Sequence, residues 1–534
     1  MKALATAAAL ALALTAQAEF KIDRAAMSER YWSVWNDEVQ AKIDADIEKY
    51  RKADATFEVA APDGAEVEVE QVGHAFYFGA HIFNFNQLGK KEWNDRYKEL
   101  YGTLFNSATV AFYWRTLEQY PYAPRFEERY EDTEEYWNRE YERDPKAVAC
   151  KPHWRRPAPD PVISFLRTRR CRVHGHPLVW GNNEWHTPTW LWDDFCPEGE
   201  KRALEEAAGV KLPVRDIRQP ICTKDTRKDP DVRWWNDAWK EIYAKLSEEE
   251  IAALVPTYVK AMDDVYERRV RAIGERYGSR IDSWDVVNES ASDFDRFGRK
   301  AVRGKPFDKS WYGPMPADYA YKAFMWAQKY LSPKAWLTIN EYNMDPFFEQ
   351  ADDLIRNGAR IDVVGSQMHL FNPRESVKIA KGDFTPEVRR KTHPGAVYET
   401  FRVLSKANRP IHLSEITITA PDNSPDGQMV QAIITRNLYR LWFSIEKMNG
   451  ITWWNVVDGC GAPGEPSISG IFTRDMRPKA AYFAMDDLIN REWKTRTSAR
   501  AQGGKVAFRG FRGRYRLSWR DAEGRERGRL VEVE

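Results

Sequence analysis

The chain has 534 residues, and its size and composition already limit what it can be. Hydrophobic residues make up 43% of it and charged residues 30%, which is enough apolar material for a packed core and excludes a mostly disordered chain. Lys and Arg total 81 against 80 Asp and Glu, so the net charge of +1 gives no reason to propose nucleic acid or an anionic membrane as a partner. The length predicts one large domain with additions.

Residues 1–18 have the pattern of a secretory signal peptide. Lys2 is followed by a short Ala/Leu run and then by Ala16-Gln17-Ala18, a small-x-small cleavage site. The apolar run is too short to span a bilayer. We therefore expect cleavage after residue 18 and a mature protein in the periplasm or outside the cell.

The cysteines could form a limited set of bridges in such an oxidising compartment. They are Cys150, Cys171, Cys196, Cys222 and Cys460, which allow at most two disulfides. Cys196 and Cys222 flank one inserted segment and are the first candidates for a bridge, with separate buried thiols as the alternative. The spacing fits no zinc ribbon or finger, and the sequence predicts no metal site and no cofactor.

Residues 19–73 are predicted to form an N-terminal extension. A polar, helix-prone stretch covers 27–52, and two alternating stretches around Pro62-Asp63-Gly64 predict a β-hairpin. At the other end of the chain, residues 493–534 are Arg-rich with alternating strands, as in FRGFRGRYRLSW, and predict a small C-terminal β appendage.

Between these ends, residues 74–492 alternate short runs rich in Val, Ile and Phe with amphipathic segments. The runs include HAFYFGAHI, RVHGHPLVW, RIDSWDVVN, AWLTIN, IDVVGSQMHL, RPIHLSEITIT and GITWWNVVDG. Strands that alternate with helices indicate a parallel sheet, and about eight such units predict an α/β fold of the (β/α)8 TIM barrel type.

Two stretches, 125–157 and 192–246, exceed a minimal barrel. The first is dense in charged and aromatic residues, and the second contains Trp234, Trp235 and Trp239. Both are expected to extend loops at the catalytic face. Surface decoration that lengthens helices is the alternative, and the sequence does not decide between them.

Two carboxylates stand at strand ends. Glu289 follows the apolar run at 284–288, directly after Asn288, and Glu415 ends the run that begins at Pro410. The carboxyl ends of barrel strands carry the chemistry of this fold. A strand-end acid alone often caps the next helix. Two facing acids, one protonated and one ionised, are what cleavage of a glycosidic bond requires.

With these motifs in order, the chain resembles glycoside hydrolase family 10, whose members are retaining endo-β-1,4-xylanases built on a (β/α)8 barrel. WDVVNE at 284–289 is similar to the family's fourth-strand motif, and HLSEIT at 412–417 to its seventh-strand motif. The resemblance implies that Glu289 is the acid/base and Glu415 the nucleophile. It also implies that Asn288 contacts a sugar hydroxyl.

Further motifs extend the resemblance to the walls of the site. HGHPLVW at 174–180 implies that His176 and Trp180 line the subsite at the reaction centre. LTINEYN at 337–343 is similar to the fifth strand and brings Tyr342.

The last two strands complete the implied site. GSQMHL at 365–370 implies that Gln367 and His369 orient the nucleophile, and ITWWNVVD at 451–458 implies that Trp454 is the platform beneath the sugar. Gln367 and His369 are two residues apart on one strand, so both side chains point the same way. A neutral imidazole or an amide donor beside the nucleophile would favour its ionised form.

The sequence departs from the family where the glycone sugars bind. The family carries Glu-Asn and then Lys on its second strand, whereas this chain lacks the Glu-Asn pair and has Tyr113 in place of the Lys. Gly181 replaces the usual His, and GCGAPGEP at 459–466 lacks the customary aromatic residue. The predicted partner is a polysaccharide or oligosaccharide, with xylan first and a decorated xylan or another β-glycan next. Endo or exo action and the oligomeric state are left open.

Two other functions compete with this interpretation. A metal-dependent hydrolase of the amidohydrolase type could use ligands in the order His174, His176, His369, His412 and Asp458. In those barrels the His-x-His pair lies on the first strand, which here precedes it. A non-catalytic glycan-binding barrel is the other alternative, against which the presence of both carboxylates argues.

Overall fold

A computed structural model describes residues 20–145, 156–182, 185–213, 235–297, 304–311, 313–462 and 465–534. The predicted signal peptide, Cys150, Cys222 and Trp234 lie outside the described residues. No helix within these ranges combines the length and the apolar character that crossing a bilayer requires.

The strands are, in chain order, β1 Lys52–Glu58, β2 Glu66–His74, β3 Tyr77–His81, β4 Ser107–Ala111, β5 Arg172–His176, β6 Val179–Trp180, β7 Ser283–Asn288, β8 Asp308–Ser310, β9 Gly313–Met315, β10 Trp336–Glu341, β11 Val363–Leu370, β12 Ile411–Ile418, β13 Met448–Trp453, β14 Arg496–Arg500, β15 Lys505–Phe511, β16 Gly513–Arg520 and β17 Glu526–Val533.

The α-helices are α1 Glu29–Val34, α2 Asp37–Arg51, α3 Lys91–Thr103, α4 Trp114–Leu117, α5 Glu134–Arg143, α6 Pro159–Thr168, α7 Thr189–Phe195, α8 Glu198–Ala208, α9 Trp235–Lys245, α10 Glu248–Leu254, α11 Pro256–Tyr277, α12 Ala291–Phe297, α13 Tyr319–Tyr330, α14 Met344–Arg356, α15 Pro373–Ala380, α16 Pro386–Thr392, α17 Pro394–Leu404, α18 Pro425–Ser444 and α19 Ala480–Asp487.

Eight parallel strands close into a barrel. Their order is β3-β4-β5-β7-β10-β11-β12-β13, and β13 pairs with β3 to complete the ring. Every residue of β7 and β12 is buried, as expected for parallel strands that are covered on both faces. The predicted (β/α)8 TIM barrel is therefore confirmed. The predicted run RVHGHPLVW divides into β5 and the short β6, which pairs with β7.

The predicted β-hairpin near the N-terminus is wrong. β1 pairs with β15, and β2 lies between β14 and β16, so both strands pair with the C-terminal segment. The turn residues between them reverse the chain, but they do not determine which strand supplies the neighbouring hydrogen bonds. The C-terminal appendage is thus a β unit that includes both ends of the chain. The boundaries proposed at residues 73 and 492 stay a prediction.

The inserted segments pack largely as helices in their described parts. Arg125 Nη1 lies 2.5 Å from Asp132 Oδ1 in a buried ion pair ahead of α5. In the second insertion the Trp192 ring contacts Trp235 and Trp239, with centroids 5.8 and 5.7 Å apart, and all three rings are buried. These three tryptophans pack in the core and are not available at the catalytic face. For the described residues around them, this favours the alternative in which the insertion lengthens helices.

The proposed bridge between Cys196 and Cys222 is also wrong. Cys196 carries a free, buried thiol, and burial raises its pKa to about 12. Cys196 is packed in the core. A position beside an inserted segment therefore did not identify a disulfide-bonded cysteine. Cys460 is disulfide-bonded.

Candidate active site

The two strand-end carboxylates lie at the mouth of the barrel. Glu289 follows β7 directly and is half-buried, and Glu415 lies in β12 and is buried. Glu289 has a φ of 54°, in the left-handed region that non-glycine residues seldom adopt. Its backbone N–H donates to the carbonyl oxygen of Asn340 at 2.8 Å, which holds this conformation. The turn at Glu289 therefore changes the direction of its side chain at the point where the strand ends.

Asn340, which the sequence analysis missed, connects the two sides of the site. Its Nδ2 donates to Glu415 Oε1 at 2.9 Å and to Asn288 Oδ1 at 2.8 Å. Its own Oδ1 accepts a hydrogen bond from Ser414 Oγ at 2.5 Å, so the orientation of the amide is set. A polar residue near the end of the apolar run LTIN was the signal that could have identified it.

Gln367 differs from the expectation that it orients the nucleophile. Its Nε2 donates to Glu289 Oε1 at 3.2 Å and to Asn288 Oδ1 at 3.4 Å. The pairing of β11 with β12 shifts register between Ser366 and Gln367. This irregularity changes which side chains face each other, and the amide donor beside Glu415 is Asn340 instead.

Two imidazoles face Glu415. His369 Nε2 lies 3.6 Å from Glu415 Oε2, and its Nδ1 is hydrogen-bonded to Thr417 Oγ1 at 2.9 Å. His176 Nε2 lies 3.9 Å from Glu415 Oε1. Both His369 and His176 therefore lie beside the Glu415 carboxylate.

The His-x-His motif is organised by a buried aspartate. Asp285 Oδ2 lies 2.8 Å from His176 Nδ1 and 2.9 Å from His174 Nε2. Burial opposes the charge on Asp285, yet the two imidazoles outweigh it and hold its pKa below the usual range. Burial likewise opposes a charge on His176, but the hydrogen bond to Asp285 and nearby carboxylates raise its pKa. Gly175 separates the two histidines, because a Cβ there would lie 2.3 Å from the ring of Trp284.

The other residues of the amidohydrolase-type pattern have separate partners. His412 Nε2 is hydrogen-bonded to Thr452 Oγ1 at 2.8 Å, and Asp458 Oδ1 lies 3.1 Å from Lys479 Nζ. Within the described ranges, no group of three or more His, Cys, Asp or Glu side chains is arranged to hold a metal ion.

The electrostatic environment of Glu289 favours its protonated form. Burial raises the pKa of this carboxyl to about 7, and the charge of Glu415 contributes in the same direction. Hydrogen bonds from Gln367 and Trp180 and the nearby His176 oppose the shift without cancelling it. Glu289 can therefore hold a proton near neutral pH beside a second carboxylate.

Aromatic rings form the walls of the site. Trp454 is buried and packs edge-on against His176 and Phe83, with centroids 5.7 and 5.2 Å apart. Tyr113 lies 5.6 Å from the ring of His176 and 6.2 Å from that of Trp180. These rings lie around His176, after the ends of β3, β4 and β13.

Tyr342 lies further out than the other predicted residues. Its side chain is 54% exposed, and its hydroxyl accepts a hydrogen bond from Ser292 Oγ at 3.1 Å. Glu341, the preceding residue, accepts backbone N–H groups of Tyr342, Asn343 and Ala291. Burial raises the pKa of Glu341 to about 8. It joins the end of β10 to the start of α12, a role that the motif NEYN did not reveal.

Gly181 is explained by the segment around β8. A Cβ at this position would lie 2.7 Å from Ser310 Oγ and 2.9 Å from Asp293 Oδ2. Asp293 accepts hydrogen bonds from the Trp311 backbone N–H and the Tyr319 hydroxyl, both at 2.9 Å, and burial raises its pKa to about 7. The space that a histidine would need beside Trp180 is therefore filled.

A comparison with protein-family models finds one similarity. Residues 234–488 match the model described as Glycosyl hydrolase family 10, and this region contains both carboxylates. This part of the chain is similar to glycosyl hydrolase family 10. The divergence noted at Tyr113 lies outside the matched residues, on β4 and the turn after it.

Named relatives of this family are distant. Endo-1,4-beta-xylanase B of Thermotoga neapolitana is 25% identical over 250 residues, which are 44% of this chain and 63% of that protein. Endo-1,4-beta-xylanase A of Halalkalibacterium halodurans is 26% identical over 237 residues, which are 43% of this chain and 45% of that protein. The chain thus spans about half of the length of the curated relatives it matches.

Solved xylanase structures cover more of the chain at lower identity. The crystal structure of native xylanase 10B from Thermotoga maritima covers 78% of this chain and 96% of its own, at 16% identity and a TM-score of 0.46. The barrel assignment rests on the strand order of the chain itself.

Proposed function

We propose that this chain is a retaining glycoside hydrolase that cleaves internal β-1,4 linkages of xylan or a related β-glycan by double displacement. The observation that carries the proposal is the pair Glu289 and Glu415, held at one barrel mouth in different environments. Desolvation raises the pKa of the Glu289 carboxyl to about 7, whereas Glu415 accepts an amide N–H from Asn340 and faces two imidazoles.

In the first step Glu415 attacks the anomeric carbon as the bond to the leaving sugar breaks. Glu289 gives its proton to the glycosidic oxygen, so the leaving sugar departs as an alcohol and Glu415 becomes a glycosyl ester. In the second step Glu289 takes a proton from water, and that water attacks the anomeric carbon and releases Glu415. The product keeps the configuration of the substrate.

The proposal extends to substrate and location. Xylan is the first substrate, with a decorated xylan or another plant cell-wall β-glycan next. Trp180 hydrogen-bonds to Glu289, and Tyr113 and Trp454 pack against His176, so aromatic rings suited to sugar stacking lie near the carboxylates. The signal-like residues 1–18 support export to the periplasm or the exterior, where such polymers occur.

The test is amide substitution of each carboxylate in the full chain. Glu289→Gln and Glu415→Gln should each lower the release of reducing ends from xylan by several orders of magnitude, while binding of the polymer stays measurable. Glu532→Gln on β17 is the control and should keep full activity. Unchanged turnover in either site variant would refute the role of that residue. A wild-type chain that binds xylan and never cuts it would support the glycan-binding alternative.

A further inference from the structure

Arg156 brings a positive charge to the walls of the candidate site. Its guanidinium carbon lies 4.9 Å from the ring centroid of Phe83 and 5.8 Å from that of Tyr113. Phe83 packs against Trp454 with centroids 5.2 Å apart, and Tyr113 packs against His176. The cation is therefore separated from the reaction centre by a single layer of rings.

The backbone beside Arg156 is held in place from within the same inserted segment. The carbonyl oxygen of Arg156 accepts a hydrogen bond from Arg125 Nη2 at 2.7 Å. Arg125 is itself fixed by the buried ion pair with Asp132 and by a hydrogen bond to the Thr116 carbonyl. The first insertion thus delivers this arginine to the barrel mouth from a braced position.

The guanidinium of Arg156 has no counter-ion among the described residues. It is half-buried over the two rings and makes neither an ion pair nor a side-chain hydrogen bond there. A guanidinium that stacks on aromatic faces keeps its N–H groups free in its own plane. A partly desolvated cation without a counter-charge is unfavourable until an anion binds to it.

Glu465 is an acidic side chain that interacts electrostatically with Arg156, but its carboxylate is hydrogen-bonded to other groups. Its Oε2 accepts hydrogen bonds from Asn455 Nδ2 at 2.6 Å and from the Ala462 N–H at 2.8 Å. Burial raises the pKa of Glu465, and Arg156 only partly offsets that effect without pairing to it. Glu465 therefore braces the loop after β13 and leaves the charge of Arg156 uncompensated.

We propose that Arg156 binds a carboxylate carried by the substrate, so that this enzyme selects a β-glycan with uronic acid groups beside the bond that is cut. The inference rests on the proposed glycosidase function and specifies its substrate. A carboxylate matches the planar fork of a guanidinium with two charge-assisted hydrogen bonds. A neutral sugar hydroxyl would accept one hydrogen bond and would not neutralise the positive charge of Arg156.

The experiment compares one polymer in two forms: glucuronoxylan, and the same glucuronoxylan with its carboxyl groups reduced to alcohols. Wild-type kcat/KM should be about 10- to 100-fold higher on the acidic form, as expected for a hydrogen bond to a charged group. Arg156→Gln should lose that factor on the acidic form and stay within about twofold of wild type on the reduced form. Arg268→Gln is the matched control, because Arg268 also stacks on a tyrosine, with its guanidinium carbon 3.5 Å from the ring centroid of Tyr122.

The outcomes distinguish failure of the Arg156 contact from failure of the proposed glycosidase function. An equal loss on both polymers would mean that Arg156 reads hydroxyls, and no loss would mean that it does not touch substrate; either result overturns the inference. Calorimetric binding of an acidic xylo-oligosaccharide to Glu289→Gln, with and without Arg156→Gln, tests the same contact without turnover. If wild type cuts neither polymer, the proposed function fails, while a drop in that binding still supports Arg156 as the carboxylate contact.

Discussion

Glu289 and Glu415 have the same side chain and differ in their surroundings. Glu289 is partly desolvated next to another carboxylate, and both effects raise its pKa to about 7. Glu415 accepts the Asn340 amide N–H and lies 3.6 Å from the His369 imidazole. Because the roles of two chemically identical groups depend on such neighbours, these differences are the basis on which we propose Glu289 as proton donor and Glu415 as nucleophile.

The pH dependence follows from the raised pKa of Glu289. Its folded-state value lies above that of an exposed glutamate, so the protonated donor is present below about pH 7 and is lost as the pH rises through that value. Glu415→Gln removes the negative charge that contributes to the shift, and the pKa of Glu289 should fall. Carbon NMR of the labelled glutamate carboxyls over a pH titration measures this directly.

The control for this titration is Glu532→Gln. This change removes a carboxylate on β17, which pairs with β16 outside the barrel, and it should leave the pKa of Glu289 near 7. In wild type, kcat should decline on the alkaline side with the same midpoint. A pKa of Glu289 that stays the same or rises in Glu415→Gln would contradict the coupling between the two carboxylates.

At the scale of elements, the barrel strands were predictable because several of them, such as β7 and β12, belong to apolar runs that end in polar residues. The same rule found Glu289 and Glu415, since strand ends meet at one rim. The hairpin failed because β1 and β2 pair with strands more than four hundred residues away, and local turn signals carry no information about such partners.

The details of the site that the sequence did not reveal depend on the pairing register of neighbouring strands and on contacts between residues far apart in the chain. The register shift beside Gln367 turned its amide toward Glu289, and Asn340 took the expected contact to Glu415. Arg156 comes from a charged segment of the sequence, in which nothing local distinguishes it from the other charged residues. Its significance appears only where the fold places it over Phe83.

The inserted segment at 125–157 should depend on its buried ion pair. The side chains of Arg125 and Asp132 are 3% and 1% exposed, so Asp132→Asn leaves a buried cation without its partner. We expect the free energy of unfolding to fall by about 3–5 kcal/mol. The exposed pair of Lys91 and Asp95 offers a matched control, and Asp95→Asn should change stability by less than about 1 kcal/mol. Denaturant titration followed by tryptophan fluorescence measures both, and equal small changes would contradict the expectation.

At the scale of the whole molecule, β1 and β2 pair with strands among β14 to β17 and form a terminal β unit at the end of the barrel opposite the site. β2 lies between β14 and β16, and it leads directly into β3. The Trp493 ring stacks on Phe443 and Phe78, with centroids 4.1 and 5.6 Å apart. Phe78 is at the start of β3, whereas Glu289 follows the end of β7 and Glu415 lies in the C-terminal half of β12. The terminal β unit therefore stabilises the barrel without lining the cleft.

Trp493→Ala should separate stability from activity for this reason. The ring is 1% exposed, and its removal leaves a large cavity between the barrel and the terminal strands, which should lower the free energy of unfolding by about 3–5 kcal/mol. Trp493→Phe keeps an aromatic stack and should lose less. Because the change is at the far end of the strands, kcat on xylan measured well below the melting temperature should equal that of wild type for both variants. Calorimetry and initial rates on the same samples test this, and a fall in kcat while the protein remains folded would mean that the terminal β unit also shapes the catalytic end of the barrel.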